Sequence, residues 1–280
     1  MQLTRLASLR YTLIVAGADV IDRSRPPAWS KILALQAHLG SYDYVLFVDV
    51  DVLVMNGAVR IEDLVGPPRP PPAPPAGVAE AFAAAAAAAS PAVPADLVIS
   101  EDWNGLNTGV FVLRNSPWSH ALLAEMWAQE QLVAPVQHAI PFEYEQRALH
   151  YLMNTAMWST RSVRKRWVEN GLPPWRPPAG SALGGSSAAL WTHLRVLPQC
   201  ALNAYLLYPL SKGTVFGQRD SSKYAPGDFA AHLAGHKASN KVVLFEYLLR
   251  HSTVGAHAPP PGAAGDASQR GQALRGGDGE

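Results

Sequence analysis

The sequence predicts an α/β domain, because strand-like and helix-like segments alternate along most of its 280 residues. Runs of branched apolar residues predict strands, namely residues 11–16, 44–55, 97–100 and 109–113. Apolar residues at helical spacing predict helices at residues 29–39, with Ser30 as the cap, and at 119–132, 141–153 and 241–250. This alternation favours a mainly parallel sheet flanked by helices.

Three segments lack the pattern of a packed element. Residues 66–95 are a proline and alanine block, which we interpret as a surface insertion, and residues 172–187 have the composition of a loop. Residues 253–280 are rich in Pro, Gly, Ala and Ser and predict a disordered tail. One domain over residues 1–252 is therefore expected.

Composition excludes several classes of partner. The net charge of +1 gives no electrostatic reason to expect nucleic acid or a membrane surface. A single cysteine, Cys200, permits no internal disulfide and is expected to be a small buried residue. No apolar run approaches the roughly 20 residues that span a bilayer.

The triplet Asp49-Val50-Asp51 lies in the most apolar predicted strand (YVLFVDVDVLVM). Residues two apart in a strand point to the same face, so the two carboxylates are expected side by side. Two buried carboxylates repel each other and lose hydration, which a hard divalent cation such as Mn²⁺ or Mg²⁺ would offset. The alternative is a strand that ends at Asp49, with both aspartates in a solvated turn.

The segment 228–237 (DFAAHLAGHK) contains a second candidate cluster. His232 is suited to complete a metal site, Gly235 to let a ligand approach the backbone, and Lys237 to neutralise a phosphate. The alternative is a helix or loop with ordinary surface histidines and a solvated lysine.

Two further groups have both a functional and a structural interpretation. Asp102 and Asn107 flank a polar turn before an apolar strand, where α/β enzymes place substrate contacts, but Asn104-Gly105 is also a hairpin signal. Glu145 and Gln146 begin a predicted helix, where the helix dipole alone favours acidic residues.

Taken in order, these segments resemble glycosyltransferase family 34, which includes xyloglucan xylosyltransferases and fungal galactosyl- and mannosyltransferases. The resemblance covers about residues 6–64 and 96–250. Its motifs are Trp29-x-Lys31, Asp49-Val50-Asp51 with Asn56, residues 102–111 (DWNGLNTGVF), residues 114–119 (RNSPWS), Glu145-Gln146-x-Ala148-Leu149, residues 202–205 (LNAY), Asp228-Phe229 and His232-x-Ala234-Gly235-x-Lys237.

The resemblance implies a Rossmann-like GT-A fold and retaining, Mn²⁺-dependent transfer of a sugar from a nucleotide donor, with Mg²⁺ as the alternative ion. It assigns Asp51 and His232 to the metal and Asp49 to the ribose or a metal-bound water. The family pattern places Lys237 and Gly235 at the diphosphate, Asp102 and Asn107 at the donor sugar, and Glu145 and Gln146 near the anomeric carbon.

The same resemblance implies an oligosaccharide, polysaccharide or glycoprotein glycan as acceptor, and a location on the lumenal side of the Golgi membrane. A second copy of the chain is a further candidate partner. Two departures stand out. Tyr144 replaces the first residue of an acidic pair, and the first strand of the GT-A sheet and the family's membrane anchor are not found. We therefore expect a longer reading frame upstream.

Two other functions fit part of the pattern. A paralogue that keeps the fold without activity, or a fragment that acts as a binding module, would explain the departures. A metal-dependent hydrolase is the third candidate, since Asp-x-Asp and histidine also occur in phosphoesterases, but two-metal sites need more ligands than Asp49, Asp51 and His232 supply.

Overall fold

The computed structural model describes residues 11–66, 94–102, 105–133, 145–153, 175–206 and 223–252. Most of the expected insertion, the expected tail and Tyr144 lie outside these residues. The described helices are α1 (Ser30–Leu39), α2 (Ile61–Val65), α3 (Pro117–Trp127), α4 (Gln146–Leu152), α5 (Ser187–Trp191), α6 (Gln199–Leu202) and α7 (Ala238–His251). The described strands are β1 (Tyr44–Val48), β2 (Val52–Val54), β3 (Leu97–Asp102), β4 (Gly105–Arg114), β5 (Leu194–Leu197), β6 (Ala204–Tyr205) and β7 (Ala230–His232). Short 3₁₀ helices occupy Ala18–Val20, Pro27–Trp29 and Glu130–Leu132.

The strands form two mixed sheets, with the orders β1-β4-β3-β5 and β2-β7-β6. In the first sheet β4 is antiparallel to both β1 and β3, and β5 runs parallel to β3. The prediction of a mainly parallel sheet is therefore wrong for the described strands. The reason is local: β3 and β4 form a hairpin that closes at Asp102 and Gly105, whose φ is 110°, and antiparallel strands need only such a short connection.

The predicted strand 44–55 is two strands in two different sheets. β1 ends at Val48, residues 49–51 form a turn, and β2 pairs with β7 in the second sheet. The alternative, a strand that ends at Asp49 and gives way to a turn, is correct for the backbone to within one residue. The turn leaves Val50 almost fully exposed, at 98%, whereas the side chains of Asp49 and Asp51 stay partly buried, at 31% and 19% exposure.

Residues 11–16 do not form the predicted strand. No described strand lies alongside to supply hydrogen bonds, and Leu13 and Val15 are 47% and 82% exposed. The segment is anchored at its start, where the Tyr11 hydroxyl donates to Glu62 Oε2 at 2.5 Å and accepts from the amide of Ile61. The predicted cap also differs: Ser30 is the first residue of α1, and its Oγ accepts from the amide of Asp22.

The alternation of side chains along β3 and β4 builds a core on each face of the first sheet. Leu97, Ile99, Phe111 and Leu113 join the cluster that contains residues of α1, α3 and α4. Val98, Val110 and Val112 point to the opposite face, where they pack with residues of β2, β7 and α6. This packing of helices and the second sheet on opposite faces of the first sheet places His232 of β7 against Gly109 of β4.

The second sheet packs against α7 through a smaller apolar cluster. Leu244 and Leu248 of α7 contact the cluster formed by Leu53, Ala231 and Leu233. The first turn of α7 thereby lies next to the turn between β1 and β2. Among the described helices, none combines the length and apolar character needed to cross a bilayer.

Candidate metal and donor site

Asp49, Asp51 and His232 come together at the junction of the two sheets. Each offers one ligand atom, and the three atoms lie within 4.8 Å of one another. Asp49 and Asp51 belong to the turn after β1, while His232 is the last residue of β7 and pairs in register with Val52. The amide of Asp49 donates to Gly109 O at 2.8 Å, which anchors the turn to the first sheet.

The two aspartates have opposite pKa shifts. Burial alone would raise the pKa of Asp51, but hydrogen bonds from His232 and Lys241 outweigh it and hold this pKa well below its usual range. The distances are 3.2 Å to His232 Nε2 and 2.7 Å to Lys241 Nζ. For Asp49, burial dominates and raises the pKa, although Lys31 opposes it at 3.1 Å. Asp51 is therefore the firmly ionised carboxylate of the pair.

The two carboxylates and the imidazole together fit one hard divalent cation. Ligand atoms on neighbouring vertices of an octahedron with bonds of about 2.1 Å lie about 3.0 Å apart, close to the 3.2 Å between Asp51 Oδ1 and His232 Nε2. Two carboxylates with one imidazole suit Mn²⁺ better than Mg²⁺, because Mg²⁺ strongly prefers oxygen ligands.

Lys31 connects the candidate metal site with Glu145. Its Nζ lies 3.1 Å from Asp49 Oδ1, 2.8 Å from Glu145 Oε1 and 3.0 Å from the carbonyl oxygen of Thr108, to which it donates. The ammonium also sits 4.8 Å from the centre of the Phe47 ring. Burial opposes the charge, but Glu145 and then Asp49 outweigh it and raise the pKa of Lys31.

Glu145 and Gln146 both bind Thr108 of β4. Glu145 is 1% exposed and its Oε1 accepts from Thr108 Oγ1 at 2.6 Å. The amide of Thr108 donates to Gln146 Oε1 at 3.0 Å, which fixes the orientation of that side-chain amide. Gln146 Nε2 has no hydrogen-bond partner within the described ranges and is the atom of this pair that can reach a ligand.

Asp102 and Asn107 form a buried network with Tyr205. Asn107 Nδ2 donates to Asp102 Oδ2 at 2.7 Å and to the Tyr205 hydroxyl at 2.8 Å, and Tyr205 donates to the same carboxylate. Burial, followed by the charge of Asp102, raises the pKa of Tyr205. Asn107 Oδ1 accepts from the amide of Gly109 and from Asn203 Nδ2, so both ends of its amide are engaged.

Gly235 and Lys237 lie on the exposed approach to α7. Gly235 has a φ of 75°, which a residue with a side chain rarely adopts, and Lys237 is the cap that precedes Ala238. The ammonium of Lys237 makes no hydrogen bond or ion pair with the described part of the chain. Both residues follow His232 within five positions along the chain.

Sequence reasoning assigned no role to five residues of this site. These are Lys31, Thr108, Asn203, Tyr205 and Lys241. Four of them stand in segments that resemble the family pattern, as Trp29-x-Lys31, DWNGLNTGVF and LNAY. That position was the available signal, but it did not indicate what each side chain contacts.

Gly109→Ala is expected to disrupt the candidate metal site. A Cβ at this position would lie 2.9 Å from both His232 Nδ1 and Asn107 Oδ1, and closer still to His232 Cε1. His232 is 5% exposed and cannot move aside without losing its partners. We expect weaker Mn²⁺ binding by calorimetry and a loss of about 1–3 kcal/mol in the free energy of unfolding, as overpacking typically costs.

Gly40→Ala is the matched control, since a Cβ there meets nothing within 4 Å and the backbone has a φ of −65°. It should leave Mn²⁺ binding unchanged and stabilise the protein by about 0.4–1 kcal/mol. Equal Mn²⁺ affinity in the two variants would contradict the packing of His232 against β4.

Comparison with known families agrees with the geometry. The sequence model of the galactosyl transferase GMA12/MNN10 family matches residues 9–170, a span that includes Asp49, Asp51, Asn107 and Gln146. A search of curated proteins found no match to the chain. The family model covers more than half of the 280 residues. The chain therefore belongs to glycosyltransferase family 34, the galactosyl transferase GMA12/MNN10 family, and is a glycosyltransferase of this hexosyltransferase family.

Proposed function

We propose that this enzyme transfers a sugar from a nucleotide-sugar donor to a glycan acceptor with retention of configuration, in a GT-A-type fold. The observation that carries the proposal is the cluster of Asp49, Asp51 and His232, in which Lys31 pairs with Asp49 and Lys241 of α7 pairs with Asp51. Galactose and mannose donors are the first candidates, given the family, with xylose as the third. The family also supports a place on the lumenal side of the Golgi membrane.

In this proposal Asp49, Asp51 and His232 hold Mn²⁺, which when bound neutralises the negative charge of the diphosphate leaving group. The C1–O bond to the diphosphate breaks with its electron pair on oxygen, and a new C1–O bond forms to an acceptor hydroxyl. The acceptor proton passes to the departing phosphate oxygen. Lys237, which is exposed and without a described partner, adds positive charge on the diphosphate side.

Gln146 and Glu145 have different parts in this scheme. Gln146 Nε2 is available to donate to the sugar, because Thr108 occupies only its carbonyl oxygen. Glu145 is buried between Lys31 and Thr108, and we propose that it orients this floor of the site instead of attacking the anomeric carbon. Asp102 and Asn107 remain the residues proposed to bind the donor sugar. Asn107 would contact the sugar only by giving up one of its present hydrogen bonds.

A panel of nucleotide sugars scored by donor hydrolysis in Mn²⁺ tests the proposal without knowledge of the acceptor. We expect one nucleotide sugar to be hydrolysed much faster than the others and chelation of Mn²⁺ to stop the reaction. NMR of the released sugar, recorded before its anomers equilibrate, should show the same anomeric configuration as the donor. No turnover of any donor would favour the inactive binding module. Phosphate release from phosphoesters without cleavage of nucleotide sugars would favour the hydrolase.

A further inference from the structure

Asn203 joins His232 to the buried network around Asn107. It lies between α6 and β6, is fully buried, and contacts both residues through its side-chain amide. Asn203 Nδ2 donates to Asn107 Oδ1 at 2.7 Å, and Asn203 Oδ1 lies 2.9 Å from His232 Nδ1.

One backbone amide fixes the direction of the hydrogen bonds that link Asn107, Asn203 and His232. The N–H of Gly109 can only donate, and it lies 2.8 Å from Asn107 Oδ1, so this atom is the oxygen of the Asn107 side chain. The carboxylate of Asp102, an acceptor, confirms the opposite end as the nitrogen. The group of Asn203 that faces Asn107 Oδ1 must then be its NH₂.

The same logic fixes the proton on the imidazole of His232. With its NH₂ directed at Asn107, Asn203 presents its oxygen to His232 Nδ1, and an amide oxygen only accepts. Nδ1 therefore carries a proton. The proton on one ring nitrogen leaves the other as the lone-pair donor, so Nε2 is the atom offered to a metal ion.

The partner of Nε2 is the carboxylate of Asp51, whose Oδ1 lies 3.2 Å away. With Nδ1 protonated toward Asn203, any proton that Nε2 gives to this carboxylate is the one that a bound cation would displace. The ring itself has little freedom, because Tyr205 stands against it edge to face at 5.5 Å and Gly109 leaves no Cβ on the other side.

We propose that Asn203 is a positioning residue of the metal site, which holds His232 in the Nδ1–H tautomer with Nε2 directed at Asp51. This inference rests on the proposed metal-dependent function. The proposed ligand His232 then depends on a network of side-chain amides that begins at β4. Asn203 would change the metal affinity without contacting the metal. Loss of a partner that orients a ligand typically costs about 10- to 100-fold in metal affinity.

The tautomer is measurable in the protein without metal. Selective ¹⁵N labelling of histidine, at a pH of about 9 where an ordinary imidazole with a pKa of about 6.5 is neutral, distinguishes a protonated Nδ1 from a protonated Nε2. The spectrum of His232→Gln assigns the signal. We expect the Nδ1–H form for His232 in the wild type, and a predominant Nε2–H form would overturn the proposal.

Two substitutions of Asn203 separate positioning from mere folding. Asn203→Leu removes both hydrogen bonds, and we expect a tautomer mixture and a 10- to 100-fold loss of Mn²⁺ affinity by calorimetry. Asn203→Asp keeps an acceptor for Nδ1, so the tautomer should persist and the Mn²⁺ affinity should exceed that of the leucine variant. An unchanged tautomer and affinity in Asn203→Leu would overturn the proposal. If the leucine variant does not fold, loss of the Nδ1–H tautomer in Asn203→Asp would overturn it.

Asn115 provides the matched control, because it is exposed and its Oδ1 lies 2.9 Å from a ring nitrogen of His120. Asn115→Leu and Asn115→Asp should leave the His232 signal and the Mn²⁺ affinity unchanged. If the wild type binds no Mn²⁺, the proposed function fails. The tautomer measurement still decides the role of Asn203, so the two failures are distinguishable.

Discussion

Asp51→Asn is expected to abolish measurable Mn²⁺ binding and to reduce donor hydrolysis to background. Asp51 is the carboxylate whose pKa is held low, by His232 and Lys241 against the effect of burial, so it supplies a full negative charge at neutral pH. An asparagine keeps the shape but removes that charge. The affinity should fall by more than the roughly 10- to 100-fold typical for loss of a residue that only orients a ligand.

Calorimetric titration with Mn²⁺ measures this effect, and circular dichroism verifies that the variant is folded. Asp43→Asn is the matched control, since Asp43 is exposed and precedes β1, at the opposite end of the strand from Asp49. It should bind Mn²⁺ as the wild type does. Wild-type affinity in Asp51→Asn would remove Asp51 from the metal site and with it the observation on which the proposed function rests.

Lys31→Met is expected to produce the largest loss of stability, about 3–5 kcal/mol in the free energy of unfolding, as is typical for a buried charge that loses its partner. Glu145 is 1% exposed, and its Oε1 depends on Lys31 and Thr108. Its second oxygen, Oε2, is buried without a hydrogen bond in the described structure. Removal of the ammonium therefore leaves an uncompensated charge in an apolar surrounding.

Urea unfolding of the metal-free protein measures the loss, and the double variant Lys31→Met/Glu145→Gln tests its cause. Because the double variant no longer leaves the buried carboxylate of Glu145 uncompensated, it should be clearly more stable than Lys31→Met alone. Lys223→Met, at an exposed lysine, should change stability by no more than about 0.5 kcal/mol. A double variant as unstable as the single one would show that packing of the lysine stem, not its charge, stabilises this region.

The local part of the candidate site could be predicted from sequence. Asp49 and Asp51 stand out because carboxylates are rare in so apolar a segment, and the structure does bring His232 to them. The metal role of the three residues stays a prediction. The backbone around them was less accessible, because an apolar run of 12 residues has the same composition whether it forms one strand or two.

The long-range contacts could not be predicted from local pattern. Lys31 stands in an apolar helix, where the sequence indicates a buried face but not which carboxylates lie opposite. Tyr205 and Asn107 are 98 positions apart, and nothing in either segment reveals that their polar groups meet. The antiparallel order of β1, β4 and β3 likewise depends on which strands pair and not on the alternation of elements along the chain.

The pairing of β2 with β7 makes the candidate metal site depend on strand register. Val52 faces His232 across these two strands, and the site exists because every second residue of β7 points to the same side. A slip of one position would exchange inward and outward side chains and send the imidazole to the opposite face. Cation affinity is therefore expected to report whether the three-residue strands Val52–Val54 and Ala230–His232 have paired in the correct register.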